Sequence, residues 1–283
     1  MQEIRIAANA KINLALAIKY RRPDGYHEIE SIFQEIDFSD HLIIKKYEGI
    51  RFTSNLKSLE TDPSNLCVAA TRLMMESFGI SGLSINLDKK IPIGAGLGGG
   101  SSDAATVLKA AAQLFELNLG RSELIPLAEQ LGSDVPFFLN GKTAWVTGRG
   151  EKIQPIAAEQ DYFLLLVLPE VRISTVWAYK KLNLNLTKEE CKHKFIGFNF
   201  HEIGVTDFKK YCYNDFERTL FVVFPELAEI KQRIYDAGAD FAALSGSGST
   251  VFGVFQSRSQ AEKACNLLES AYTVQYAKPI LGL

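Results

Sequence analysis

Long apolar runs are missing from this chain of 283 residues. The longest clearly apolar stretch, Tyr162 to Leu168, falls far short of the roughly 20 residues a membrane-spanning helix needs. No signal peptide is recognised either, and a cytoplasmic protein is expected. Surplus charge of one sign is also lacking: 31 basic residues against 33 acidic ones leave a net charge of −2. The basic residues are scattered, which argues against nucleic acid as the main partner and leaves a small molecule. Cysteine is scarce. Cys67, Cys191, Cys212 and Cys265 form no C-x-x-C pair and no dense framework, which suits a reducing compartment. A zinc site from Cys191, His193, His201 and Cys212 would have none of the usual ligand spacings. There is no internal repeat and no low-complexity tract.

What the chain does have is length for about two domains, each able to bury a core. The texture changes between Gly148 and Gln160, which divides it into residues 1–158 and 159–283. The second part reads as strand (Tyr162–Leu168), helix (Thr175–Leu182), a polar and aromatic insertion, helix (Pro225–Ala237), two strands (Phe241–Leu244 and Thr250–Phe255), helix (Gln260–Ser270) and strand (Tyr272–Ala277). That order predicts a ferredoxin-like α+β layer. Ser245-Gly246-Ser247-Gly248-Ser249 joins its two middle strands. Five small residues exceed the needs of a tight hairpin, so the backbone is expected to pass close to something.

The first part is organised around Gly94-Ala95-Gly96-Leu97-Gly98-Gly99-Gly100-Ser101-Ser102. An extended apolar run, Leu83 to Leu87, precedes it. Asp103 to Phe115 follows, with Ala104, Val107, Leu108, Ala111 and Leu114 at helical spacing. Ser101 and Ser102 stand where an N-cap is wanted. Backbone without Cβ atoms can wrap closely round a ligand, and a helix N-terminus favours negative charge, so phosphate is the expected ligand. Three familiar loops fail here. The dinucleotide fingerprint wants an acid at the end of a second strand, but Glu116 has no strand before it. The Walker loop wants lysine where Gly100 stands. The protein-kinase loop wants His-Arg-Asp and Asp-Phe-Gly, and neither tripeptide occurs.

Other stretches carry chemistry-bearing residues. Ile4 to Ile18 alternates with period two, which predicts a long half-buried strand. Its second face carries Arg5, Asn9, Lys11, Asn13 and Lys19; solvent is the expected surrounding, although Asn-x-Lys-x-Asn could hold a hydroxyl or phosphate oxygen. Pro23-Asp24-Gly25 is turn chemistry that presents Tyr26 and His27 at a loop tip, where a tyrosine can cover the core or stack on a flat ring. Further strands are expected between Ser31 and Tyr47. Asp62-Pro63 predicts a helix start running to Phe78, and Arg121 to Leu131 predicts a helix stopped by Gly132. Asp134 follows, before an expected apolar strand through Leu139 and a hairpin turn at Asn140-Gly141. Pressed beside apolar residues, it either needs a partner or caps the turn.

With these pieces assembled, the chain resembles the GHMP-type small-molecule kinases over essentially its whole length. The resemblance rests on Ala10-Lys11-Ile12-Asn13-Leu14, Arg21 to Glu28, Pro92 to Ala105, Leu131 to Phe137, Ile173-Ser174-Thr175, Asn214-Asp215-Phe216-Glu217 and Ser245 to Gly253. Leu244 stands where a methionine often precedes the last motif, and the insertion from Asn183 to Cys212 matches nothing. The resemblance implies an α+β, two-domain fold: an N-terminal α/β ATP-binding domain and a C-terminal ferredoxin-like domain, with the active site between them. It implies ATP-dependent phosphorylation of a cytidine diphosphate alcohol, with Mg²⁺, by a monomer or homodimer. Lys11 and Asp134 would be the catalytic pair. Asn65 would lie near the adenine, and Pro92, Ile93, Gly94, Ala95, Gly96, Leu97, Gly98, Gly99, Gly100, Ser101 and Ser102 would hold the rest of ATP. Tyr26 would stack on the base, His27 would hydrogen-bond it, and Asn13, Thr175 and Tyr179 would line the remaining substrate pocket. Ser102 is a candidate for one Mg²⁺ contact; the other metal ligands stay unassigned. A GHMP kinase for mevalonate, homoserine or a sugar, or an idle nucleotide-binding protein, are the alternatives.

Overall fold

The computed structural model describes residues 3–158, 161–182 and 203–282. Cys191, His193, His201 and most of the 183–212 insertion therefore lie outside the described residues. The chain divides into two compact units: Met1–Ala10, Ser39–Ile93 and Gly98–Gly141 form the first, and Lys11–Phe38, Gly94–Leu97 and Lys142–Leu283 the second.

Two long strands, β1 (Glu3–Arg21) and β2 (His27–Lys46), contribute residues to both units and pair with each other. In the first unit, His41–Lys46 of β2 pairs antiparallel with β4 (Gly82–Asp88), which runs parallel to β3 (Gly49–Ser54). Between β3 and β4 come the short α1 (Lys57–Glu60) and α2 (Leu66–Phe78). Helix α2 starts later than the Asp-Pro pair predicts, because the Asn65 side chain accepts from the Cys67 and Val68 N–H groups and so sets the N-cap. Then follow α3 (Gly99–Leu114), α4 (Arg121–Leu131) and α5 (Val135–Asn140). Helix α3 is buried along most of its length and packs against α2, α4 and α5. Val135 to Asn140 is thus a helical turn, not the expected strand. Pro136 suits a first turn, and Gly141 ends the helix, where the sequence suggested a hairpin.

In the second unit, Ile29–Gln34 of β2 pairs with β5 (Thr143–Gly148), which forms a hairpin with β6 (Lys152–Pro155). The remainder is β7 (Phe163–Val167), α6 (Thr175–Lys181), a 3-10 turn at Val205–Asp207 leading into α7 (Phe208–Tyr211), α8 (Glu217–Val223), α9 (Pro225–Asp236), β8 (Phe241–Leu244), β9 (Val251–Phe255), α10 (Arg258–Leu268) and β10 (Val274–Ala277). The sheet order β10-β7-β9-β8, all antiparallel, is the ferredoxin-like arrangement the sequence predicts. Helices α9 and α10 bury Leu227, Ile230, Ile234, Ala261 and Leu268 against it. The whole is a two-domain α+β fold. Among the described residues, no helix is long and apolar enough to cross a membrane.

The expected solvent-facing side of β1 is a correction. Every residue from Ala10 to Lys19 is buried. Its polar members survive there because they are paired: Lys19 Nζ donates to Glu30 Oε2 at 3.0 Å, and Lys11 Nζ to Asn13 Oδ1 at 2.6 Å.

The first unit holds a second buried cluster. Lys89 Nζ contacts Asp40 Oδ2 and, at 2.7 Å, Asp103 Oδ2, while Asp40 Oδ1 also accepts from the Lys90 and Ile91 N–H groups. Two acids share one cation, so one carboxyl is under-compensated. Burial pushes Asp103 up to about 7; Lys89 opposes the rise and Asp40 adds to it. Burial works to lower Lys89, but the Asp103 and Asp40 carboxylates outweigh it and leave the lysine raised. The Asp103 Oδ1 atom has no hydrogen-bond partner. An acid whose folded value exceeds its unfolded one stabilises the fold below the unfolded value and loses that contribution as pH rises through the folded one. Asp103→Asn should therefore gain urea midpoint relative to the parent near pH 8, where the parent carboxyl is ionised, and gain distinctly less near pH 5. An equal difference at both pH values would contradict this account.

Candidate active site

The glycine stretch belongs to both units and is best taken in two legs. The Gly94–Leu97 leg lies in the second unit, where each of its last three carbonyls is taken. Ala95 O accepts from Thr250 N at 3.2 Å, Gly96 O from Ser245 Oγ at 2.9 Å, and Leu97 O from Lys11 N at 2.9 Å. Among the described residues, neither the Gly96 nor the Leu97 N–H donates a hydrogen bond. Carbonyls spent on the scaffold and amides left over make a concavity for an anion. Gly96 has φ of 78°, and a Cβ there would overlap the Ser245 carbonyl oxygen, so glycine is required twice over.

The Gly98–Ser102 leg lies in the first unit and begins α3. The N-cap is Gly98, not Ser101 or Ser102 as the sequence suggests; both serines fall inside the first turn. A glycine cap offers no side chain, so the Gly99, Gly100 and Ser101 amides have neither an intrahelical carbonyl nor a cap, while Ser102 N donates to Gly98 O at 2.9 Å. Gly99 packs on the buried lysine, because a Cβ would come within 2.9 Å of Lys89 Nζ and 2.8 Å of Ile91 Cγ2.

Lys11 and Asn13 are buried in the second unit beside the first leg. Asn13 Nδ2 donates to Ser31 Oγ at 3.0 Å, and Ser31 Oγ in turn to the Ala15 carbonyl. Lys11 Nζ also sits 4.4 Å from the Phe33 ring centroid. Asn13 N reaches Ser245 Oγ at 3.4 Å, so that hydroxyl links β1 to Gly96. Thr175 stands at the start of α6, with Oγ1 2.9 Å from Ser247 Oγ.

The aromatic pair emerges from the turn as predicted. Tyr26 is 51% exposed, with the Arg149 guanidinium 5.1 Å from its ring centroid. His27 stacks on Tyr179 at 4.8 Å with 15° between planes, and Tyr179 meets Phe216 edge-on at 4.9 Å. Burial, and then the Arg21 guanidinium, hold His27 below the ordinary histidine value, which favours the neutral ring with one donor and one acceptor. Arg22 braces the turn through Asp24 and Glu28, and Glu28 Oε1 takes the Gly148 N–H.

In the first unit, Pro92 and Ile93 are exposed just before the loop. Asn65 spends its side chain on capping α2 and on the Leu59 carbonyl. Asp134 is half-buried at the start of α5, and its side chain does not cap that helix. Ser245, Ser247 and Thr250 are the partners that sequence reasoning left without a role; the run of small residues from 245 to 249 was their signal. No group of three or more His, Cys, Asp or Glu side chains among the described residues is placed to hold a metal ion.

A lysine-free glycine loop that opens a buried helix, in a chain that also carries a ferredoxin-like layer, marks a small-molecule kinase of the GHMP class. Residues 65–142 match the model of the GHMP kinases N terminal domain and residues 199–273 that of the GHMP kinases C terminal. Among solved structures, a 4-(cytidine 5'-diphospho)-2C-methyl-D-erythritol kinase superposes with a TM-score of 0.84 at 31% identity, covering 99% of this chain and 100% of that one. Methanococcus jannaschii mevalonate kinase superposes with a TM-score of 0.75 at 17% identity over 99% of each chain, which speaks for the fold alone. The 4-diphosphocytidyl-2-C-methyl-D-erythritol kinase of Thermodesulfovibrio yellowstonii is 41% identical over 93% of both chains, and that of Pelodictyon phaeoclathratiforme 38% identical over 99% of this chain and 98% of its own. The chain belongs to the GHMP kinases, in the family of the 4-diphosphocytidyl-2-C-methyl-D-erythritol kinases.

The loop geometry generates a paired expectation. Gly96→Ala must strain a left-handed residue by about 1–2 kcal/mol and displace the Ser245 carbonyl, so it should lower the melting temperature and abolish nucleotide binding. Gly100→Ala meets nothing nearer than Leu66 Cδ1 at 3.8 Å and should leave the melting temperature unchanged. Thermal melts with calorimetric ATP titration check both; intact ATP binding in Gly96→Ala would refute the cradle.

Proposed function

We propose that the protein transfers the γ-phosphoryl group of ATP to the 2-hydroxyl of 4-diphosphocytidyl-2-C-methyl-D-erythritol, giving the 2-phosphate and ADP for isoprenoid precursor synthesis. The observation that carries the site assignment is the Gly94–Leu97 leg, with its carbonyls bound to Thr250, Ser245 and Lys11 and amides of Gly96 and Leu97 unspent. In this reading residues 92–102 bind the ATP phosphates, the Gly96 and Leu97 amides and the uncapped start of α3 each offering N–H groups to an anion. Asn65 supports the adenine side by holding the start of α2.

Phosphoryl transfer asks the protein for position and charge, with little covalent chemistry of its own. Lys11 is the group assigned to steady the charge developing on the transferred phosphoryl; Asn13 and Phe33 fix where its ammonium sits. Asp134 is assigned to accept or orient the hydroxyl proton. Tyr26 offers its exposed ring to the cytosine, and a neutral His27 can both donate to and accept from the base edge. Asn13, Thr175 and Tyr179 line the remainder. Mg²⁺ fits as an ion carried in by the nucleotide, since the described residues build no multi-acid cage; Ser102 is the proposed protein contact, and the ion supplies neutralisation of phosphate charge. The division at 158/159 belongs to this proposal as a boundary between the two family segments. So do a cytoplasmic location and a monomeric or homodimeric state.

Release of ADP on addition of the cytidine diphosphate alcohol tests the function. The parent protein should turn it over, and 2-C-methylerythritol phosphate, mevalonate and homoserine should be very poor substrates. Equal turnover of the aliphatic compounds would overturn the substrate assignment. Tyr26→Ala should weaken alcohol binding about tenfold or more, since base stacking contributes roughly 1–3 kcal/mol, while ATP affinity stays put. Asp134→Asn should keep both affinities and lose on the order of 10²–10⁴ in turnover; full activity would remove Asp134 from the mechanism.

A further inference from the structure

Two sequence motifs, Asn214 to Glu217 and Ser245 to Ser249, are given no contact with either substrate above, yet the second unit ties them together. Ser245 is fully buried, and its hydroxyl joins Asn13 N to Gly96 O. A run of alternating serine and glycine has little intrinsic stiffness, so something else must decide where that hydroxyl points. Asn214 is placed to decide it. Its Nδ2 donates to Leu244 O at 2.7 Å and Gly246 O at 2.8 Å, the carbonyls on either side of Ser245. Its Oδ1 accepts from Phe216 N at 3.0 Å, which fixes the amide orientation. Asn214 is 3% exposed, so no water competes for these bonds.

The neighbours of Asn214 refer the grip to β1. Leu16 N donates to Tyr213 O at 2.8 Å, Asp215 N to Leu16 O at 2.9 Å, and Ile18 N to Asp215 Oδ2 at 2.8 Å. Glu217 adds a further hold, accepting from Leu244 N at 2.8 Å. The strand that carries Lys11 and Asn13 thereby also sets the position of the Ser245 turn.

We propose that Asn214 is a positioning residue of the nucleotide site: by gripping both carbonyls that flank Ser245, it aims the Ser245 hydroxyl at Gly96 and fixes the loop that receives the ATP phosphates. The inference rests on the assignment of that loop to ATP.

The test is steady-state kinetics and calorimetric ATP binding on the parent, Asn214→Ala, Ser245→Ala and the double variant, with melting temperatures alongside. Each single change orphans buried groups and should raise KM and Kd for ATP about tenfold, with KM for the cytidine diphosphate alcohol within about twofold of the parent. The double variant should be no more than about twofold worse than the worse single one, because the two side chains act in series. Asn214→Asp, the same size but facing two carbonyls with an oxygen, should be worse than Asn214→Ala. Unchanged ATP affinity, equal losses for both substrates, or additive effects in the double variant would each overturn the proposal. Should Asn214 variants fail to fold, Ser245→Ala decides, since it leaves every Asn214 bond in place: unchanged ATP affinity there overturns the relay. If the parent itself binds no ATP, the loop assignment falls and this inference with it; if the parent binds and the variants do likewise, only this inference falls.

Discussion

Three consecutive backbone carbonyls, those of Ala95, Gly96 and Leu97, are bound to three separate pieces of the second unit. Each bond removes a rotational freedom the loop would otherwise keep, and together they determine which way the intervening peptide planes face. An anion cradle made of backbone works only if its amides are presented before the ligand arrives, because ordering them afterwards would consume binding energy. The register of β1, the path of the Ser245 turn and the absence of a Cβ at Gly96 all serve to hold these three carbonyls in place. So does the burial of Asn13, whose N–H and side chain both lie in the same network.

Buried charge is the second theme, and each unit holds some. In the second unit, Lys19 of β1 pairs with Glu30 and Lys11 donates to Asn13. In the first, Lys89 meets two carboxylates, and the excess appears as the raised Asp103. A buried ion pair is seldom a net source of stability, but losing one partner leaves an uncompensated charge that is costly. Such clusters specify geometry more than they strengthen it. Here the specified geometry is the end of β4 against the first turn of α3, where Lys89 Nζ packs on Gly99.

Much of the fold was legible in the chain because hydrophobic periodicity is a local signal. The period-two pattern of β1, the exact span of α4 and the strand–helix order of the ferredoxin-like layer could be read directly. The misreadings came where a distant partner overrides the local pattern. Lys11, Asn13 and Lys19 read as solvent-facing because nothing nearby in sequence announces Ser31, Phe33 or Glu30 as their partners. Val135 to Asn140 read as a strand because six apolar-rich residues carry too little periodicity to separate strand from helical turn, and Pro136 was the one cue that could have done so. At Gly98 the cap departs from the local preference for serine, whereas at Asn65 it follows local preference, since asparagine is itself a favoured N-cap. The Ser245 run was recognisable as a close approach, but its target at Gly96, 149 residues away, was not.

The loop also raises a question of charge that the geometry helps to answer. A Walker loop places its own lysine beside the phosphates; here Gly100 occupies that position, and the nearest lysine behind the loop is Lys89. Its charge, however, is already engaged by Asp40 and Asp103, so Lys89 braces the helix start and adds no net positive field there. The amides and the helix dipole can hold resting phosphates, but the transition state spreads more charge over the transferred group. Lys11 differs in kind from Lys89. Asn13 and the face of Phe33 orient its ammonium, and its own backbone N–H secures Leu97 of the loop. In the proposed ATP site, one residue would thus fix the loop through its main chain and bring a lysine side chain to it. That coupling would let a loop without a lysine of its own still have one at hand for phosphoryl transfer.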